Sequence, residues 1–412
     1  MEFRKHTLEN GLQIVAECND EAHSQAVGFF VRAGSRDESP AIAGVSHFLE
    51  HMAFKGSATR TVDEVNREFD AISPHYNAAT SEETTVYYAL VLPESQDRVV
   101  ELLADLLRPA LRPEDFETEK QVIVEEILKY EDQPPFGADD KCRAHYFGNH
   151  PLGHSVLGTV QSIRGLSVEA MRAYFERRYA ADNVVMGAAG RVDFDALVDS
   201  ARRCCGVWHR GINTRPLEPA SPRQGFYALH KPIATQQYVL QLSPAPAATD
   251  DDRYAAELLA MVLGDETGSR LFWELLDPGL ADHVSVAHRE HEGAGVMMTS
   301  LSCEPGLAEE NLGRLANVLR RTQTERVTEE ELEQAKNKYR SRMVLSSERP
   351  PGRLFALAGD WVYRSQYRTL DTELAAVAAV TPADVAALLT KYPLDRTTTV
   401  TIGPLEDVAW PQ

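Results

Sequence analysis

The sequence predicts two similar α+β domains, and three observations carry that reading. The chain has 412 residues, too many for one ordinary core and suited to two domains of about 200 residues each. A stretch poor in apolar residues, 211–225 with Pro216, Pro219 and Pro222, lies near the midpoint and reads as a linker. Both halves open in the same order of strand, strand, helix. The expected division is residues 1–210, a linker over 211–224, and residues 225–412.

In the first half, residues 12–16 and 26–31 are short β-branched or aromatic runs bounded by Asn10-Gly11 and Ala33-Gly34, as strands ended by turns are. A helical stretch covers 44–55. Thr61 with Glu64 three positions on is a capping box and starts another helix. Residues 84–92, rich in Thr, Val and Tyr, read as a strand, and helical patterns follow over 96–108, 113–131 and 168–179. The apolar run 184–190 reads as a buried strand. The second half restarts with strands at 226–229 and 236–242 and a helix from Asp252. Later helix starts are marked by Thr328 with Glu331 and by Thr381-Pro382 with Asp384.

Charge narrows the function. Against 42 Lys+Arg stand 62 Asp+Glu, a formal charge of -20. Such a field repels phosphate backbones and anionic membranes and attracts cationic partners, basic peptides among them. The same acids also keep a protein soluble. Five cysteines, an odd number with Cys204 and Cys205 adjacent, do not form a disulfide framework. The N-terminal residues lack the apolar core of a signal peptide, and no apolar run is long enough to cross a bilayer. A cytoplasmic protein with no nucleic-acid or membrane partner is expected.

The densest chemistry lies in Gly44-Val45-Ser46-His47-Phe48-Leu49-Glu50-His51-Met52. Positions i and i+4 of a helix share a face, so His47 and His51 can present two imidazoles to one ion, and Glu50 can reach a water on it. With 13 His in the chain, about 0.06 such matches arise by chance. The order His-x-x-Glu-His is the inverzincin signature. A catalytic zinc site also needs a third protein ligand and an open position. Glu119 and Glu126, two turns apart on one helical face, are the candidates, one as ligand and one as a supporting acid. Glu125 points about 100° away from that face.

These residues resemble the M16 metallopeptidases, the family of pitrilysin, insulin-degrading enzyme and the mitochondrial processing peptidase. That family places a liganding Glu at a characteristic interval after the motif, and the 74 residues between His51 and Glu126 fit it. Other stretches agree: Thr7-Leu8-Glu9-Asn10-Gly11-Leu12, Asn77-Ala78-Ala79-Thr80, His150-Pro151-Leu152-Gly153 with Leu157-Gly158-Thr159, and Ser269-Arg270-Leu271-Phe272. The resemblance implies two domains that are each a mostly antiparallel sheet packed with helices, the M16, LuxS-like metallohydrolase fold. It implies one Zn2+ per chain on His47, His51 and Glu126, Glu50 as general base, and Glu119 as a second acid at the site. It also implies a peptide substrate that adds as a strand to the edge 76–80, touching Asn77 and Ala78.

The chain departs from the family in its second half. Single-subunit and homodimeric members carry an Arg and a Tyr there that hold the substrate carbonyl. Here Leu275 or Leu276 stands in place of the Arg and Asp282 in place of the Tyr. Leu has no donor and an ionised Asp repels an oxyanion. His283, one position off, is a weak substitute. Some members divide the work between two chains, so the resemblance implies a zinc-bearing subunit whose homologous partner supplies the Arg/Tyr pair, with a homodimer as the alternative. A different class of function is a non-catalytic scaffold of the same fold.

Overall fold

The computed structural model describes residues 1–73, 75–133, 135, 137–211 and 214–410, so two residues of the expected linker, 212 and 213, lie outside the described residues. The first half of the chain runs β1 (Glu2–Thr7), β2 (Gln13–Cys18), β3 (Gln25–Val31), α1 (Val45–Ala53), α2 (Val62–Ile72), β4 (His75–Thr80), β5 (Thr85–Val91), α3 (Gln96–Leu106), α4 (Pro113–Asp132), α5 (Ala138–Phe147), α6 (Val160–Gly165), α7 (Val168–Arg178), β6 (Val184–Gly190) and α8 (Phe194–Cys205). The second half runs β7 (Gly225–His230), β8 (Gln237–Ala245), α9 (Arg253–Gly264), β9 (His283–His291), β10 (Ala294–Cys303), α10 (Ala308–Glu325), α11 (Glu329–Ser347), α12 (Pro350–Arg364), α13 (Leu370–Ala379), α14 (Pro382–Lys391) and β11 (Thr398–Gly403). The capping boxes act as read: the Thr61 hydroxyl accepts from the Glu64 amide at the start of α2, and Thr381 does the same for Asp384 at α14.

The two sheets share one topology. The first has the order β1-β2-β6-β3-β5-β4 and the second β7-β11-β8-β10-β9. In the first, β2 pairs with β6 in parallel and the remaining pairs are antiparallel. In the second, β7 pairs with β11 in parallel and the rest are again antiparallel. The series β2-β6-β3-β5-β4 therefore matches β7-β11-β8-β10-β9 strand for strand, and a helix follows the third strand of each series in chain order, α1 after β3 and α9 after β8. This is the expected pair of similar α+β domains.

The compact units do not follow the chain in sequence. One comprises Met1–Leu128, His154–Pro216 and Val344–Arg368, and the other Lys129–Gly153, Leu217–Met343 and Thr369–Gln412. A division at 211–224 thus separates the two sheets but leaves α5 and α12 on the wrong side of it. The physical reason is sheet coverage. In the first unit β3 and β6 are buried at every residue, which requires cover on both faces of the sheet. One face packs on a large core that includes Phe48, Leu103 and Leu197 from α1, α3 and α8. On the other face Leu354, Leu357, Ala358 and Trp361 of α12 pack against Val15, Phe30, Val86 and Val185. In the second unit α5 plays the same part, with Cys142, Tyr146 and Phe147 against Leu240, Val296 and Val400. No single described helix is long and apolar enough to cross a membrane.

Candidate metal centre

The site lies within the first unit and is built on α1, α4 and the edge strand β4. Helix α1 begins at Gly44, whose φ of +90° and close approach to the Leu157 carbonyl leave no room for a Cβ. The buried Glu38 carboxylate accepts from the Gly44 amide at 2.6 Å and the Ser46 amide at 2.7 Å, filling the first turn with negative charge where the helix dipole favours it. Burial nevertheless pushes the Glu38 pKa up to about 7. Ser46 also bonds to the Tyr174 hydroxyl at 2.7 Å. Phe48 stacks on Phe116 of α4 with ring centroids 4.7 Å apart, which sets α4 beside α1.

This packing brings the expected ligands together. Oε2 of Glu126 lies 3.9 Å from His47 Nε2 and 3.7 Å from His51 Nε2. The ligating atoms of His47, His51 and Glu126 all fall within 4.8 Å of one another, and among the described residues no other group of three His, Cys, Asp or Glu does so. Tetrahedral zinc with bonds of about 2.0–2.2 Å needs ligand atoms separated by roughly 3.4 Å. The donor set and its spacing fit that ion. Glu125 is exposed and stands apart from the cluster.

The surrounding groups hold the ligands differently. His51 Nδ1 is 2.8 Å from Glu119 Oε1, while Lys55 Nζ is 2.6 Å from Glu119 Oε2. Burial opposes the charge on Glu119, but His51 and Lys55 overcome it and lower its pKa. Burial likewise opposes protonation of His51, and Glu119, Glu126 and Glu50 reverse it. His47 Nδ1 is buried with no hydrogen-bond partner. Burial, with the charge of His51, lowers the His47 pKa to about 3 and keeps the ring neutral, the form that binds metal. Glu50 accepts from the Thr80 hydroxyl at 2.5 Å, and burial raises its pKa despite that bond.

Two contacts of the site are not foreseen in the sequence reading: Lys55 on Glu119, and Thr80, expected only as part of the edge 76–80, on Glu50. Lys55 lies just past the end of α1, its amide closing a turn onto the Met52 carbonyl at 3.1 Å, and its four-residue spacing from His51 within the expected helix 44–55 is the signal that points to it. Thr80 is joined to Glu50 only by the packing of β4 against α1, for which the sequence holds no local signal. Asn77 and Ala78 lie on β4, at the free edge of the sheet, and His75 is exposed at its start. In the second unit Leu275 is fully buried in the core. Asp282 accepts from the Gln236 side chain at 2.8 Å, and His283 pairs with Ser285 at 3.1 Å.

Two matched α+β domains, one of them gathering a His-x-x-Glu-His helix and a distant carboxylate beside a sheet edge, define an inverzincin-type protein. Comparison with known proteins places it more narrowly. Residues 13–160 match the model of the insulinase family, peptidase family M16, and residues 165–339 match the M16 inactive domain. An uncharacterized zinc protease of Mycobacterium tuberculosis is 32% identical over 97% of this chain and 93% of its own length. One of Bacillus subtilis is 32% identical over 90% of both chains. The crystal structure of a protease from Helicobacter pylori superposes with a TM-score of 0.90 at 20% identity, covering 98% of this chain and 99% of its own. The chain belongs to peptidase family M16.

Proposed function

We propose that the chain is a zinc-dependent endopeptidase subunit that hydrolyses peptides inside a closed chamber, with one Zn2+ on His47, His51 and Glu126. The observation that carries this reading is the convergence of two imidazole Nε2 atoms and the Glu126 carboxylate, with Glu50 on the same helix. Zinc, when bound, supplies a Lewis acid for the peptide carbonyl and acidifies water. Glu50 takes the proton of the attacking water and returns it to the leaving amine. Thr80 holds the Glu50 carboxylate, and Glu119 with Lys55 fixes the His51 ring. The substrate lies along β4 as an added strand, at Asn77 and Ala78. A homologous partner chain supplies the Arg/Tyr pair in a heterodimer, with a homodimer as the alternative. Five unpaired cysteines suit a reducing, cytoplasmic setting.

Metal analysis of the purified chain is expected to find one zinc per chain. Glu50→Gln is expected to keep that zinc and lose hydrolysis, and residual activity above a few per cent of the parent would sink the assignment. The chain alone is expected to be nearly inactive on peptides and to gain activity with its partner. The second reading, a non-catalytic scaffold, draws on the inactive-domain match of residues 165–339 and on Leu275 in the core. It requires a purified chain without zinc.

A further inference from the structure

Strand β4 is at the edge of its sheet, so one row of its backbone amides faces away from β5. The N–H and C=O of alternate residues point to the same side of a strand. Tyr76, Ala78 and Thr80 therefore form one row, and His75, Asn77 and Ala79 the other. Two bonds identify the outward row. The Ser81 amide, in the row of Asn77 and Ala79, donates to the Thr84 carbonyl across the hairpin at 2.8 Å, so that row faces β5. The Ala78 amide donates to Oδ1 of its own neighbour Asn77 at 2.9 Å.

An open row of strand amides is a template for any passing strand, and an edge is safest when its donors are occupied. Asn77 does this with an exposed side chain that can swing away. The bond at Thr80 is of another kind: its hydroxyl donates to Glu50 of α1 at 2.5 Å, and a strand running on past Ala78 would have to disturb that carboxylate. Resting on the reading of β4 as the substrate edge, we propose that the Asn77 side chain is a displaceable cap on the Ala78 amide, and that the Thr80–Glu50 bond closes the row one step further on. An added strand then trades places with Asn77 at Ala78 and stops there, two residues or about 6.8 Å short of Thr80, whose hydroxyl holds Glu50. The edge thus sets the register in which a peptide reaches the cluster.

The test uses the full chain stripped of metal by a chelator, so that nothing is cleaved, in three forms: wild type, Asn77→Ala and Asn77→Asp. The probe is a labelled, unstructured peptide of Ala, Ser and Gln, uncharged so that the Asp variant is compared fairly. A net hydrogen bond corresponds to about three- to tenfold in an equilibrium. Without peptide, the Ala78 amide of Asn77→Ala is expected to exchange with deuterium about three- to tenfold faster than in wild type. Peptide is expected to bind Asn77→Ala tighter by a similar factor. Asn77→Asp keeps an acceptor, and a stronger one, so it should protect the Ala78 amide at least as well as wild type and bind peptide no tighter. Bound peptide should slow exchange at Tyr76 and Ala78 and leave Thr80 as it was. Weaker binding by Asn77→Ala would make Asn77 a direct substrate contact and overturn the cap, as would unchanged exchange at Ala78. New protection at Thr80 would overturn the stop. Faster exchange at Ala78 with no peptide binding by any form would uphold the cap and remove strand addition from the proposed function.

Discussion

His51 Nδ1 stands 2.8 Å from one oxygen of Glu119, and Lys55 Nζ stands 2.6 Å from the other. Both Glu119 oxygens are therefore engaged, and His51 Nε2 is left facing Glu126 at 3.7 Å. In the proposed site Glu119 therefore braces His51 and leaves the metal to Glu126.

Outer partners of this kind typically contribute 10–100-fold in metal affinity. Glu119→Gln keeps an acceptor for His51 but loses the charge, so zinc affinity is expected to fall about tenfold, and Glu119→Ala about a hundredfold. Competition against a chromophoric chelator measures both, with near-UV circular dichroism as the check on folding. Wild-type affinity in the alanine variant would remove Glu119 from the site.

The contact between α12 and the first sheet includes a buried ion pair. Arg353 Nε donates to Glu17 Oε2 at 2.6 Å, and the fork is completed by a second bond. The Glu17 side chain is 1% exposed and that of Arg353 is 10% exposed. Removing one partner of such a pair leaves a buried charge and costs about 3–5 kcal/mol, whereas replacing both by apolar groups is far milder. Arg353→Met is expected to lose stability on that scale, and Arg353→Met with Glu17→Met to recover most of it. Urea unfolding followed by tryptophan fluorescence reads both, since Trp361 sits on the same helix and bonds to Gln13 at 2.6 Å. A double variant as unstable as the single one would rule out charge stranding as the cause.

Gly187 of β6 has its reason in the same contact. A Cβ at Gly187 would lie 2.8 Å from Leu354 Cδ1 and 2.9 Å from Ala358 Cβ. The leucine tip can yield, but the alanine Cβ moves only with its helix. Overpacking costs about 1–3 kcal/mol, and the reduced unfolded-state entropy of alanine offsets about 0.4–1 of it. Gly187→Ala is expected to destabilise by roughly 0.5–2 kcal/mol, and a gain in stability would show that α12 lies less tightly on β6.

What the sequence could reveal follows from where each signal resides. His47, Glu50 and His51 sit on consecutive helical turns, and Glu119 and Glu126 two turns apart, so local periodicity puts each set on one face. That α1 and α4 would meet rests on Phe48 against Phe116, 68 residues apart, which no periodicity encodes. The run 184–190 reads correctly as a buried strand, yet its burial says nothing of which helix covers it. Residues 350–364 carry apolar positions that suit a helix, but their packing partners lie in the opposite half of the chain. The exchange of α5 and α12 between units is for that reason invisible in the sequence, whereas the proline-bearing stretch 211–225 can be read directly from it. The Asn77 and Thr80 bonds are fixed by which strand ends up at the edge, a property of the assembled sheet.

His288, on β9, gives the molecule a pH dependence away from the metal cluster. Its side chain is wholly buried, with Nδ1 3.2 Å from Glu257 Oε1 and Nε2 2.8 Å from the Pro246 carbonyl. A carbonyl needs a donor at Nε2 and a carboxylate is best met by a second donor at Nδ1, so the ring is an imidazolium. Burial works against that charge, but Glu257, the Pro246 carbonyl and Glu290 outweigh it and raise the pKa above the ordinary 6.5. A raised folded-state pKa means that the native state binds the proton more tightly than the unfolded chain. The stabilisation is therefore complete below pH 6.5 and is lost as pH rises through the folded-state value. Hydrogen bonds to charged groups contribute about 1.5–3 kcal/mol. His288→Gln is expected to be less stable than wild type by that amount at the acid end, with the gap narrowing toward alkaline pH. Urea unfolding at a series of pH values measures it, and a gap that stays constant with pH would show that His288 is held as the neutral ring.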